Sequence, residues 1–257
     1  MKFARWAVIL VAVALTVGLV FVFFGSDQAF SNMEKVNLAT PDNKNISANY
    51  FSVLNPRGWL LLVHMMPAVK ESWNEFAQEL QNAGYASLAI DLRGHGESEG
   101  GPNGFSQFSD VEHQASIQDI NTAWEFLKTK GASPEKTAII GASIGANLSL
   151  LFLTQHSDIG GGVLLSPGNY KGLDSLALVQ KIAPRQKMVF IASKQDERSG
   201  GNNAADNKRY YDAASQVLNR HLITFDGAGH GTDLFKLENE LDLVNIIKKF
   251  LTDGSIN

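Results

Sequence analysis

Six short runs of mostly apolar residues punctuate the chain: GWLLLVH, ASLAIDL, KTAIIGAS, GGVLLSP, KMVFIAS and RHLITFD. Continuous apolar runs of this length, bounded by turn residues, are the pattern of strands buried on both faces of a parallel sheet. Ahead of them KVNLAT and SANYFSVL, the second alternating apolar and polar, predict an opening hairpin. Amphipathic stretches lie between the runs, and predict helices over 71–83, 111–130, 144–156, 174–182, 204–218 and 234–251. In the last of these Leu234, Leu237, Leu241, Val244 and Ile247 recur at helical spacing, a core-facing stripe. Strands alternating with helices imply an α/β architecture: a mostly parallel eight-stranded sheet with helices on both faces. Residues 98–109, rich in Gly, Ser and Asn, read as a loop.

The first thirty residues break this pattern. Residues 7–24 carry no charge and only Thr16 as a polar side chain. At ~1.5 Å rise per residue, a helix of that length approaches the ~30 Å thickness of a bilayer core. A cleaved signal peptide has a shorter apolar region, about 7–15 residues, followed by a small-x-small site. Here GSDQAF follows instead, so an uncleaved anchor is the first expectation and secretion after cleavage the alternative. Lys2 and Arg5 precede the segment, which places the N-terminus in the cytoplasm, Trp6 at the interface and the rest of the chain outside. The expected domains are thus 1–30, an anchor or signal segment, and 31–257, a single globular domain.

Composition narrows the chemistry. Hydrophobic residues make up 44% and charged residues 19%, so the body of the chain can bury a core. A formal net charge of -4 without clustered Lys and Arg speaks against nucleic-acid binding. With no cysteine, a covalent nucleophile must be Ser, Thr, Lys or a carboxylate. Neither HExxH nor GxxxxGK occurs, and no cofactor or metal is expected.

One stretch carries the chemistry. In TAIIGASIGANLSL an expected strand runs into Gly141, Ser143 and Gly145 and then directly into an expected helix. GxSxG in that context is a nucleophile elbow: the turn strains the serine backbone and leaves no room for side chains two residues to either side. A serine hydroxyl needs a base to take its proton, and the base needs a carboxylate to hold its tautomer. His230, in the glycine-rich FDGAGHGTD after the last expected strand, can reach over the sheet's carboxyl edge. His95 lies at the same edge and is the second candidate; His221 begins a strand at the wrong end, and His113 and His156 fall on expected helices as surface residues. Asp196, in SKQDERSG after KMVFIAS, is the acid, with Glu197 as near rival and Asp226 behind it. For the oxyanion, the Ile144 N–H at the helix start supplies one donor, and the loop after GWLLLVH, beginning MMPAVKESW, supplies the other.

LLLVHMMPAVKESWNEFAQELQNAGYASLAIDLRGHGESEG, IIGASIGANLSLLF, IASKQDE and GAGHG together resemble the α/β-hydrolase superfamily, especially its small esterase, lysophospholipase-like and dienelactone-hydrolase-like members. The resemblance runs from about residue 45 to 251, and the order Ser143, Asp196, His230 is the one this fold uses. It implies Ser143 as nucleophile, Asp196 as acid, His230 as base, and Met66 with Ile144 as oxyanion donors. Where the family has His-Gly this chain has His64-Met65, so Met65 stands beside Met66 as the second donor. Dienelactone hydrolases use a cysteine nucleophile, which this chain lacks. Asp91, Arg93 and His95 in DLRGHGES are structural in the family. Only GNYKGLDSLALVQKIAPRQ separates GGVLLSP from KMVFIAS, too little for a cap domain. The expectation is a serine hydrolase of small-molecule carboxylic esters, with peptidase, thioesterase and noncatalytic binding protein as alternatives, and membrane contact through the N-terminal helix.

Overall fold

Eight strands form one sheet in the order β1-β2-β4-β3-β5-β6-β7-β10. The computed structural model describes residues 33–237 and 240–256. β1 (Met33–Ala39) and β2 (Asn45–Phe51) are the antiparallel hairpin, and β2 also lies antiparallel to β4 (Tyr85–Ile90). From β4 onward the sheet is parallel: β3 (Gly58–Val63), β5 (Thr137–Ala142), β6 (Gly161–Leu165), β7 (Lys187–Ser193) and β10 (Arg220–Phe225). All carboxyl ends of these strands therefore meet at one rim, where open α/β sheets bind ligands. Two-residue strands β8 (Glu197–Arg198) and β9 (Gly201–Asn202) make a separate small hairpin just past β7.

The apolar runs are buried because both faces of the sheet are covered. Leu60 and Leu62 of β3 pack on one face with Trp73, Phe76, Leu80, Ile247 and Phe250, which come from helices α1 (Asn74–Asn82) and α7 (Glu240–Asp253) and the turn before α1. Leu61 and Val63 point the other way, the period-two alternation of a strand, toward Ile120, Trp124, Leu148, Val179 and Tyr210. Those residues belong to helices α3 (Ile117–Thr129), α4 (Ile144–Gln155), α5 (Ser175–Val179) and α6 (Asn203–Ala213). α4 is buried nearly all round, which explains its apolar IGANLSLLFL.

Several sequence expectations are corrected in detail. The helix expected over 111–130 is two, α2 (Asp110–Ala115) and α3, meeting at Ser116, and Ser109 with Glu112 forms a complete capping box at the first. The expected 71–83 helix opens with a 3-10 turn at Lys70–Trp73. The expected 174–182 and 204–218 helices are capped at Asp174 and Asn202 and are shorter at their C-terminal ends, stopping at Val179 and Ala213, the second because Ala214 leaves helical geometry. The last expected helix is a 3-10 turn at Gly231–Lys236 followed by α7. RHLITFD is not buried on both faces: among the described residues β10 pairs only with β7, and it is half-exposed along its length. His113 is no surface residue, being buried against Phe108.

No helix among the described residues is long and apolar enough to cross a membrane. The segment expected as an anchor, 1–30, lies outside the described residues. Between β6 and β7, residues 166–186 hold only the five-residue α5, so no cap domain stands there.

Two ion clusters brace the loop after β4. The Lys70 ammonium is buried against Asp91 at 2.8 Å and reaches Glu97 at 2.7 Å and Glu71 at 2.9 Å. Burial pushes its pKa down, but the three carboxylates outweigh that and hold it above the ordinary lysine value. Arg93 donates to Asp119 through Nε at 2.9 Å and Nη2 at 2.7 Å, and to Asp42 through Nη1 at 2.6 Å. Asp91 and Arg93 are thus fully engaged in holding the loop, as the family resemblance implied.

Candidate active site

Ser143 sits between β5 and α4 with φ 53° and ψ −120°, a conformation that non-glycine residues avoid. The flanking glycines make it possible. A Cβ on Gly141 would run into the Gly145 carbonyl and the Ser149 hydroxyl, and one on Gly145 into the carbonyl oxygens of Val63 and His64. Main-chain atoms cannot move aside, so both positions require glycine. Ser143 is 7% exposed, and its N–H donates to Leu165 O at 2.8 Å, fixing the elbow to the end of β6.

The loop after β10 brings His230 to the same rim. Its Nδ1 lies 2.8 Å from Asp196 Oδ2 and 3.0 Å from Oδ1. The Gly231 N–H donates to the Ser166 hydroxyl at 3.0 Å, and a Cβ on Gly231 would stand 3.3 Å from the Ala142 Cβ, so the residue after His230 rests on the residue before Ser143. Asp196 is 1% exposed. Burial pushes its pKa up, but hydrogen bonds from His230 and Asn203 outweigh this and leave it below the ordinary value. An ionised carboxylate on Nδ1 fixes the neutral imidazole with its proton there and leaves Nε2 as the free lone pair.

On the far side of the elbow, Ile144 is the first residue of α4, so its N–H has no acceptor within the helix. His64, just after β3, accepts the Leu92 N–H on Nε2 at 3.0 Å, so its Nδ1 carries the proton and donates to Met65 O at 2.9 Å. Burial, with repulsion from His95 behind it, pulls the His64 pKa down to about 3, which keeps this tautomer neutral across the physiological range. The Met65 carbonyl is thereby turned toward His64. Across the trans peptide the Met66 N–H points the opposite way.

The rival candidates lie elsewhere. His95 is buried with Nδ1 on Arg93 O at 3.1 Å and its ring stacked on Phe105 at 4.2 Å. His221 meets Gly254 O, and His156 meets Asn121. Glu197 accepts from Asn202, and Asp226 is exposed and paired with Lys194. Three residues beside the triad positions were not legible in the sequence. Asn203 donates from Nδ2 to Asp196 Oδ2 at 2.8 Å, Tyr170 donates its hydroxyl to Asn203 Oδ1 at 2.8 Å, and Arg198 donates from Nε to Asp196 Oδ1 at 3.0 Å. Only the closeness of 198 and 203 to Asp196 in sequence hinted at them.

An eight-stranded, mostly parallel sheet with a GxSxG elbow at its carboxyl rim defines an α/β hydrolase. The chain belongs to the family described as serine aminopeptidase S33, whose model matches residues 54–215, which is 162 of 257 residues (215 − 54 + 1). Among solved structures it resembles an esterase of Pyrococcus furiosus, with TM-score 0.70 and 20% identity over 86% of this chain and 92% of that one. It also resembles a soluble variant of the Saccharomyces cerevisiae monoglyceride lipase, with TM-score 0.68 and 15% identity over 90% of this chain and 97% of that one. At these identities the likeness is one of fold. A probable alcohol acetyltransferase of Cyberlindnera fabianii is 28% identical over 107 residues, 41% of this chain and 26% of that protein. The chain thus matches about a quarter of that relative's length.

Proposed function

We propose that the protein cleaves carboxylic esters through an acyl-enzyme formed on Ser143. The observation that carries this is the His230–Asp196 pair, 2.8 Å apart at the rim where Ser143 stands on its strained elbow. In this reading His230 Nε2 takes the Ser143 proton as Oγ attacks the acyl carbon. The tetrahedral oxyanion is met by the N–H groups of Ile144 and Met66, the latter favoured over Met65 by the orientation that His64 imposes. The imidazolium then protonates the leaving alcohol. Water activated by the same imidazole adds to the acyl carbon, and collapse of that second intermediate frees Ser143 and the acid.

The short 166–186 connection favours small or medium acyl groups, or a substrate that extends into solvent. The family description favours a second reading, cleavage of an aminoacyl amide by the same residues. A panel of p-nitrophenyl esters of increasing chain length, thioesters and aminoacyl anilides separates the readings. We expect kcat/KM to be highest on short esters; anilides turned over faster than any ester would transfer the assignment to a peptidase. A thioester preference would make it a thioesterase, and turnover of nothing, with no phosphonate labelling, a noncatalytic hydrolase scaffold.

We further propose that residues 1–30 anchor the chain, with the 31–257 domain on the extracytoplasmic side, on the strength of the uncharged 7–24 run and Lys2 and Arg5 before it. The protein is then expected to stay with membranes through a high-salt wash. Recovery of a shortened chain in solution would instead mean that the segment is a cleaved signal.

A further inference from the structure

Ser166 is the first residue past β6, and it differs from an ordinary loop serine in burial, backbone and bonding. It is fully buried. Its φ of 51° is close to the 53° of Ser143 at the end of the neighbouring β5, in a region that a residue with a Cβ occupies only at a cost. Its hydroxyl accepts the Gly231 N–H at 3.0 Å, the amide immediately after His230. Glycine would take this backbone without strain, so the turn alone does not account for a serine here. What glycine would lack is the hydroxyl.

A serine hydroxyl can accept and donate at once. Ser166 accepts from Gly231, and it also hydrogen-bonds Asp196: burial pushes the Asp196 pKa up, while hydrogen bonds from His230, Asn203 and Ser166 pull it down. One buried hydroxyl thus joins the acid to the residue that follows the base. Its own backbone is fixed by the sheet, since the Ser166 N–H donates to Ile191 O of β7 at 2.7 Å. The same strand holds the acid, through the Asp196 N–H on Ser193 O at 3.2 Å.

The loop that carries His230 leaves β10 at Phe225. It is held at Gly227 by Gln195, whose N–H donates to Gly227 O at 2.9 Å and whose side chain accepts the Gly227 N–H at 2.7 Å. It is held at Gly231 by Ser166, and this second tie adjoins the imidazole.

We propose that Ser166 is a positioning residue, whose hydroxyl fixes the His230 loop and Asp196 to one another and holds the imidazole toward Ser143. This rests on the hydrolase reading above. The strained backbone at 166 is retained for that hydroxyl. A serine that served folding alone could be replaced by the glycine its φ invites.

The test compares Ser166→Gly, which relieves the strain, with Ser166→Ala, which keeps it; both lose the hydroxyl. In the full chain in detergent, kcat should fall by about 10- to 100-fold in both, with KM within about twofold of wild type. Labelling of Ser143 by a fluorophosphonate should slow by the same factor. Ser166→Gly should nonetheless melt about 2–5 °C above Ser166→Ala, so that activity and stability part company. Hydrogen–deuterium exchange read by mass spectrometry should be about tenfold faster in peptides covering 226–236 in both variants, and unchanged in those covering β3 and β5. Wild-type kcat in Ser166→Gly, or a raised KM with kcat intact, overturns the proposal. Unchanged exchange over 226–236 overturns it whatever the esterase activity. Faster exchange in a protein whose wild-type Ser143 takes no fluorophosphonate supports the tie between Ser166 and the His230 loop and overturns the hydrolase reading instead.

Discussion

Ser143→Ala is expected to lower kcat by about 10⁴- to 10⁶-fold and to abolish labelling by a fluorophosphonate, while leaving thermal stability close to wild type. The size follows from the residue's place in the reaction. On the proposed mechanism no acyl-enzyme forms without Oγ, and what would remain is the smaller contribution of the two main-chain donors and of substrate binding. Stability should survive because the elbow is held by its neighbours. The Ser143 N–H bond to Leu165 O and the tight packing of Gly141 and Gly145 do not involve the hydroxyl. Relief of the side chain from a positive φ is small for an Ala replacing a Ser, since both carry a Cβ. Labelling that persists in the variant would show that another residue is the nucleophile.

The second large effect is on folding. Lys70→Met should destabilise the protein by about 3–5 kcal/mol and lower Tm by roughly 6–20 °C. Removing the ammonium leaves Asp91, whose side chain is fully buried, with no cation, and the cost of that stranded carboxylate dominates. Lys35→Met is the contrast. Lys35 meets the same Glu97 but both side chains are 52% exposed, and solvent-screened pairs contribute about 1 kcal/mol or less. The Lys70 N–H bond to Asp91 at 2.7 Å is main chain and survives the substitution, so the loss is confined to the Nζ contacts with Asp91, Glu97 and Glu71. Equal losses from the two lysine variants in urea unfolding would show that burial of the cluster does not matter.

The sheet was legible in the sequence because strands covered on both faces leave nowhere for a polar residue, so β3 through β7 stand out as apolar runs. β10 was misjudged for the complementary reason. RHLITF is apolar enough to look central, and nothing local says that its outer neighbour is missing. The elbow was legible because steric demand is local: Gly141 and Gly145 must be glycine within one turn of Ser143. His230 and Asp196 could be singled out by their positions after strands, which topology converts into one rim. Asn203, Tyr170 and Arg198 could not, because their meeting depends on how three loops fold over that rim. Lys70 was equally hidden, since a lysine in a polar stretch reads as solvated until Asp91 is seen beneath it. The break at Ser116 was only half hidden. Ser109-Asp110-Val111-Glu112 is a capping box in plain view, and it marks where α2 begins though not where it stops.

The brevity of the β6–β7 connection has a kinetic consequence. Lipases with a hinged cover rest in a closed state that a lipid surface pries open, so their rate jumps when substrate aggregates. The connection between β6 and β7, residues 166–186, holds only one short helix, the five-residue α5, and no such cover. Turnover by this protein should rise smoothly through the critical micelle concentration of the substrate, governed by the monomer that reaches Ser143.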